Sequence, residues 1–565
     1  MNIFRIKKRS GTYSELLETY GLANTLHKIF DALGILNVDI LITDKSLYYE
    51  VTTSVDITED NIKKMPYFPI FKYIRKIEQQ DVTGISDYYD FATAMTEIEQ
   101  IKKIRSIPKK EKEELKKKVY EKYNISNLYY VITNIEVVRW IKEKLEKHTF
   151  EKLYRNFHEN QIDFADIINE ILSYYSSISY CSKRNFKKEV FTKSVTAIQL
   201  YNPNQGKGIN EPKANGVKLD KMDSFWIVET MKISGALSDM LCQPVEKDWL
   251  IFVPEYKQVN YNFKNKLILD FKNNLRDSTL MKNNILNILS LTKKTIENSS
   301  FSKQRKRVKN IVGGLYSVFQ KDMGHKPVVM NISYIQVPNF IYISDEEENQ
   351  TWIEILEEHI TIINNIDENN GTTTGLMEYQ DFISSSNVDS FFDFSFWYAA
   401  YLSNKLSNKQ YAKAFSIDSL NKLYSSMDKP NLQLMEIINN RGFQAVAKAI
   451  RNSTVSLQYI SKEQRQFEIR YGVAQTLQTK SKSSEDLAVY IGEYISVYNS
   501  ETARYVEKKG LPFRANVRID ELNEFYTLLD KYPSHLIGAL LASYGFALGA
   551  KSGNNDNDDF EDNEE

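Results

Sequence analysis

From about residue 385 onward, strand signals fade and one amphipathic segment follows another as far as Ala550. The stretches 391–404, 434–450, 468–477, 486–498, 520–529 and 535–547 all carry apolar residues at helical spacing. Each has a stripe to remove from water, and with no sheet nearby the helices must cover one another, so a carboxy-terminal helical bundle is expected. The longest nearly apolar run, 536–550, is too short and too interrupted by Gly and Ser to span a bilayer comfortably. It reads as a buried helix, and no membrane partner is expected.

Upstream the periodicities are mixed. Residues 13–33 repeat like a helix and end at Gly34, where a left-handed cap belongs. Residues 38–42 alternate, Asp44, Lys45 and Ser46 supply turn chemistry, and 47–51 resume a β-rich run, which together predict a hairpin. The highly charged helix over 109–123 interleaves its lysines with Glu111, Glu113, Glu114 and Glu121, as a solvated face does. Strands are predicted over 195–200 and 250–253, with a helix over 225–237 between them. Because no regular β-α-β rhythm links these pieces, the fold class is α+β: a mixed α/β region over 1–385, of one or two subdomains, followed by the helical bundle over 386–552.

Residues 553–565 carry seven carboxylates and no cation, and such a tail is expected to be disordered. The formal charge of −1 hides this segregation: 74 acidic residues less seven leaves 67 against 73 basic ones, a body of +6. Cys181 and Cys242 are the only cysteines and form no CxxC, so neither a disulfide framework nor a cysteine zinc site is supported. The first residues turn straight to charge without a secretory apolar segment, and a cytoplasmic location is expected.

Catalytic signals are sparse. Histidines at 27, 148, 158, 325, 359 and 535 are scattered, there is no HExxH, and no GxxxxGK[ST] cradle occurs. No catalytic residue, metal or cofactor is expected, and the chain does not read as an enzyme. One alternative is a metal-dependent DNA nuclease of a defence system, built on Glu255-Tyr256-Lys257 with Asp220, Asp223 or Asp248 upstream. Another is a scaffold that touches protein alone.

Binding signals are stronger. The run Asn202-Pro203-Asn204-Gln205-Gly206-Lys207-Gly208-Ile209-Asn210-Glu211-Pro212-Lys213 concentrates turn formers, amides and cations. Its glycines let the main chain approach a ligand, while amides and lysines suit a phosphate or the edge of a base. A second cluster, Lys303, Arg305, Lys306, Arg307 and Lys309, packs five cations into seven residues, a density that can follow a phosphodiester backbone. In the bundle, Lys448 and Arg451 lie three apart, near Arg441, Arg465 and Arg470.

Glu15-Leu16-Leu17-Glu18-Thr19-Tyr20-Gly21-Leu22-Ala23, the NPNQGKG run with Lys213, Arg441-Gly442-Phe443 through Arg451, Arg470-Tyr471-Gly472, and Ala542-Ser543-Tyr544-Gly545-Phe546-Ala547 together resemble the large subunit of a type I CRISPR Cascade complex, A-like or B-like. The pieces are spread over most of the chain, although each is short. The CxxC pairs of some relatives are missing, which argues against a zinc-bearing variant.

The resemblance implies a subunit without chemistry of its own. It sits near the handle of a guide CRISPR RNA among other Cascade subunits, inspects the protospacer-adjacent motif in target double-stranded DNA, supports the displaced strand, and recruits a helicase-nuclease. Carried over to these residues, Asn202, Asn204, Gln205, Lys207, Asn210 and Lys213 would read the DNA motif. Lys303, Arg305, Lys306, Arg307 and Lys309 would hold nucleic-acid backbone, and Arg441, Lys448, Arg451 and Arg470 the displaced strand. Some relatives make a separate small subunit from an internal start, for which Met427 or Met435 could serve.

Overall fold

Helix α1 (Ser14–Ala32) forms where the spacing predicts, and Gly34 follows it at φ +67°. The computed structural model describes residues 2–75, 78–85, 88–104, 106–123, 149–177, 194–197, 200, 202–203, 223–245, 248–276, 278, 280–299, 307–322, 327–369, 371–428, 433–460, 465–510 and 514–549. Two compact units divide the chain: Met1–Leu280 with Val308–Val337, and Met281–Arg307 with Pro338–Glu565. The first mixes sheets with helices and the second is helical, so the fold class is α+β with a carboxy-terminal helical bundle.

Among the described residues the mixed unit holds two antiparallel four-stranded sheets. In one, β1 (Ile3–Lys7), β2 (Ile40–Asp44), β3 (Tyr48–Thr53) and β10 (Gln258–Asn260) are ordered β1-β3-β2-β10. In the other, β8 (Leu241–Val245), β9 (Asp248–Tyr256), β11 (Val312–Asp322) and β12 (Pro327–Gln336) are ordered β12-β11-β9-β8. Short pairs add β4 (Tyr73–Arg75) beside β5 (Tyr88–Asp90), and β6 (Ser194–Thr196) beside β7 (Asp223–Phe225). The predicted hairpin is the β2–β3 pair. The strand expected over 195–200 shortens to β6. Pro254 does not end its strand, since β9 runs on to Tyr256 and pairs Pro254 with Leu315 of β11.

Its helices are α1, α2 (Glu59–Lys63), α3 (Phe91–Lys103), α4 (Lys109–Lys122), α5 (Thr149–Glu159), α6 (Phe164–Ser176), α7 (Trp226–Asp239) and α8 (Tyr261–Asn273). Helix α1 is buried around most of its circumference, with Leu16, Leu17, Tyr20, Leu22 and Leu26 wholly sequestered. It crosses α7 backbone to backbone. A Cβ on Gly21 would stand 1.8 Å from the Met231 carbonyl oxygen, and one on Gly235 1.9 Å from that of Leu17, so glycine at both positions sets the separation.

The helical unit comprises α9 (Leu280–Asn298), α10 (Glu346–Asn364), α11 (Thr373–Ser385), α12 (Val388–Ser407), α13 (Ile417–Met427), α14 (Leu434–Ile438), α15 (Arg441–Ser453), α16 (Val473–Lys480), α17 (Ser484–Lys509), α18 (Ile519–Lys531) and α19 (Ser534–Gly545). Two expectations change here. The helix predicted over 434–450 is broken between α14 and α15, because the Asn440 side chain accepts from the Phe443 amide and caps a fresh start. The helical unit also begins well before residue 386. Tyr379 and Phe382 of α11 pack against Phe391 and Phe394 of α12, so α11 supplies half of a shared aromatic core. Among the described residues no helix is long and apolar enough to cross a membrane. The acidic stretch 553–565 lies outside the described residues.

Candidate functional site

Strands β6 and β7 pair antiparallel with Thr196 opposite Asp223, which brings together the two flanks of the 197–222 stretch. Within that stretch Leu200, Asn202 and Pro203 are described and buried. Asn202 corrects the sequence reading. Expected as an exposed reader of DNA, it is 1% exposed. Its amide donates to both Glu229 carboxylate oxygens at 3.2 Å, and its carbonyl accepts from Lys232 Nζ at 2.6 Å and from Ser14 Oγ at 3.4 Å. An amide committed at both ends fixes the root of the segment rather than reading a base. Tyr13 adds a bond from its hydroxyl to the Leu200 carbonyl at 2.8 Å. Asn204, Gln205, Lys207, Asn210 and Lys213 lie outside the described residues.

The root rests on buried polar groups of α1 and α7. Glu229 and Lys232, three apart in a largely apolar stretch, are the signal that sequence reading passed over. Beside them Glu18 accepts from Tyr175 Oη at 3.0 Å and from Arg9 Nη2 at 3.2 Å. Burial outweighs the attraction of Arg9 and Lys232 and pushes the Glu18 carboxyl up to about 7; Tyr175 and Glu15 are the other titratable groups facing it.

Since the unfolded chain releases this proton near 4.5, the folded form holds it longer. The contribution of this carboxyl to stability is therefore complete below that pH, falls as pH rises toward 7, and levels off above, with a total decline of about 3 kcal/mol. Urea titrations across this window should show the slope in the native chain and a flatter profile in Glu18→Gln. Equal slopes in the two would assign the pH dependence elsewhere.

A second polar group gathers where β2 meets β9. Lys257 Nζ lies 2.7 Å from Asp44 Oδ2 and 2.9 Å from Glu255 Oε2. Lys8 bonds the other Asp44 oxygen and stands over the Tyr49 ring, while the Tyr334 hydroxyl bonds Glu255. This is where the nuclease alternative looked, but the acid that meets Glu255 and Lys257 is Asp44, far upstream. Asp220 lies outside the described residues, as does the side chain of Asp223, and Asp248 stands at the far end of β9 from Glu255. Two ammoniums balance two carboxylates here, which suits a joint between the sheets. Among the described residues no group of three or more His, Cys, Asp or Glu is placed to hold a metal ion.

Of the second basic cluster, Lys303, Arg305 and Lys306 lie outside the described residues. Arg307 is exposed and bonds Asn339 Oδ1 at 3.4 Å; Lys309 is exposed on the short turn Val308–Asn310. The bundle cations do not form the open row expected of a strand-tracking surface. Arg441 is engaged by Asp520 and Glu524 of α18, each at 2.7 Å. Arg451 donates to the Tyr544 carbonyl at 3.2 and 3.3 Å and so closes the end of α19. Arg470 pairs with Glu501 at 2.8 Å and lies over the Tyr494 ring. Carboxylates and a helix terminus therefore hold these three, whereas Lys448 is exposed on α15.

Several residues behind the family resemblance are packing positions. Gly442 faces the α18 backbone, where a Cβ would meet the Glu521 oxygen at 2.2 Å, and Gly545 faces Ile450 at 2.6 Å. No family model matches the chain, and no curated protein matches it.

Proposed function

We propose that this chain is the noncatalytic large subunit of a type I CRISPR RNA-guided surveillance complex acting in the cytoplasm. In this reading it sits near the handle of a guide RNA, recognises the protospacer-adjacent motif in duplex DNA, aids strand separation and recruits a helicase-nuclease. The observation that carries the reading is the anchored root of the Gly206-Lys207-Gly208 segment. Five side chains, those of Tyr13, Ser14, Asn202, Glu229 and Lys232, spend buried hydrogen bonds on holding it. An ordinary surface turn between two strands needs none of that. Such anchoring fits a segment whose lysines and amides must meet a duplex in a set register.

The bundle supports this reading less directly, through Lys448, which is exposed on α15. The charge-balanced joint at Lys257 favours a structural role there over the nuclease alternative.

Affinity purification of the full chain from its native cell should recover a short guide RNA and several sibling subunits. A chain that purifies alone and free of RNA would refute the assignment. In the reconstituted complex, Lys207→Ala and Asn204→Ala should weaken capture of motif-bearing DNA by about tenfold to a hundredfold per contact and spare motif-free DNA. Unchanged motif discrimination would place the reader elsewhere.

A further inference from the structure

Beneath the root of the central segment the interior holds more acid than base. Glu15, Glu18 and Glu229 are all buried, and among the described residues the cations facing Glu18 are the buried Lys232 and the half-exposed Arg9. Two of the three carboxylates are settled by neutral donors. Glu15 accepts from the Ser10 amide at 3.2 Å and the Ser10 hydroxyl at 2.5 Å, and both oxygens of Glu229 accept from Asn202 at 3.2 Å. Glu18 is left out of balance. Arg9 and Tyr175 both donate to its Oε1, whereas Oε2, sealed from solvent, has no hydrogen-bond partner.

A buried carboxylate oxygen that lacks a donor is costly when charged and far less so when the group is neutral. The groups that face Glu18 come from every element around it: Glu15 from its own helix, Arg9 from the turn after β1, Tyr175 from α6 and Lys232 from α7. Of these, Lys232 also holds the root, with Nζ 2.6 Å from Asn202 Oδ1. Ionisation of Glu18 therefore adds a second claim on an ammonium already in use. Helices α1 and α7 are in main-chain contact at Gly21 and Gly235, so neither has room to shift toward the other. Asn202 belongs to neither helix and is the part free to yield.

We propose that Glu18 is a proton-operated latch on the central segment: protonated, it leaves Lys232 to Asn202, and ionised, it draws Lys232 away and frees the root. Burial holds the carboxyl's titration at about 7, so the latch works around neutral pH, closing as pH falls and opening as pH rises. The inference goes beyond the subunit reading and holds for whatever the segment binds.

Hydrogen exchange of the full chain, followed by mass spectrometry and corrected for the intrinsic pH dependence of exchange, tests it. An open root lets water reach the carboxyl and returns it to its ordinary value near 4.5. Protection of peptides spanning Leu200 to Pro203 should therefore fall about tenfold between about pH 6 and pH 8, while peptides of the β2–β3 hairpin keep theirs. Glu18→Gln should abolish the fall. Arg9→Gln, at a half-exposed site that spares the fold, removes an attraction that favours the ionised form and should move the midpoint to higher pH. A flat profile in the native chain, an equal fall in Glu18→Gln, or an unmoved midpoint in Arg9→Gln would each overturn the latch. None of these results bears on whether the chain co-purifies with RNA, so the subunit reading stands or falls separately.

Discussion

Lys264→Ala should lower the stability of the mixed unit by about 3–5 kcal/mol, because it strands a carboxylate in the interior. Lys264 Nζ lies 2.6 Å from both oxygens of Asp239, and neither side chain has any exposed surface. Burial pulls the lysine's proton affinity down and Asp239 pulls it back up, so each charge is tolerated only through the other. The rings of Tyr20 and Tyr261 face the ammonium at 5.3 and 5.5 Å and shut water out. Removing both charges together is a different perturbation. Lys264→Leu combined with Asp239→Ala should regain most of the loss, since the desolvation penalty of both ions disappears with them. Urea unfolding monitored by near-ultraviolet circular dichroism would measure the two effects. A single variant as stable as the native chain would mean that water reaches Asp239.

Gly21→Ala should be nearly as damaging, at about 3 kcal/mol, through steric rather than electrostatic means. The added methyl would stand 1.8 Å from one main-chain oxygen of α7 and 2.6 Å from its carbon, so no side-chain rotation can relieve the overlap. The helices must separate, and they carry Ser14, Glu229 and Lys232, on which the root of the central segment depends. Thermal unfolding of Gly21→Ala and Gly235→Ala should show similar losses, because the two glycines face each other across one crossing. Retention of native stability by either would contradict the close approach of the backbones.

Much of the architecture was legible from local chemistry. Helix α1 is bounded by a turn and by Gly34, and the β2–β3 hairpin announces itself by alternation around Asp44, Lys45 and Ser46. The full extent of α17 could have been read too. Ser483 caps its start and Gly510, at φ +80°, its end, although apolar periodicity alone marks only 486–498.

What stayed hidden depends on residues far apart in the chain. Asn202 looks like a surface amide until Glu229, Lys232 and Ser14 are brought to it. Arg451 and Arg470 look like solvent-facing cations until the end of α19 and Glu501 claim them. The Asp44, Glu255 and Lys257 meeting was illegible for the same reason.

The division of the chain bears on the order in which it can be made. Strand β11 stands between β9 and β12, yet it is encoded after α9, which belongs to the helical unit. During translation the amino-terminal unit cannot complete its second sheet until residue 336 has cleared the ribosome, so α9 emerges before the unit ahead of it is finished. The two units are thus interleaved in synthesis, and no single stop codon or internal start yields either of them whole and free of a piece of the other. A fragment begun at Met427 or Met435 would lack α12, which packs on α19, and would depend on another surface to cover that helix.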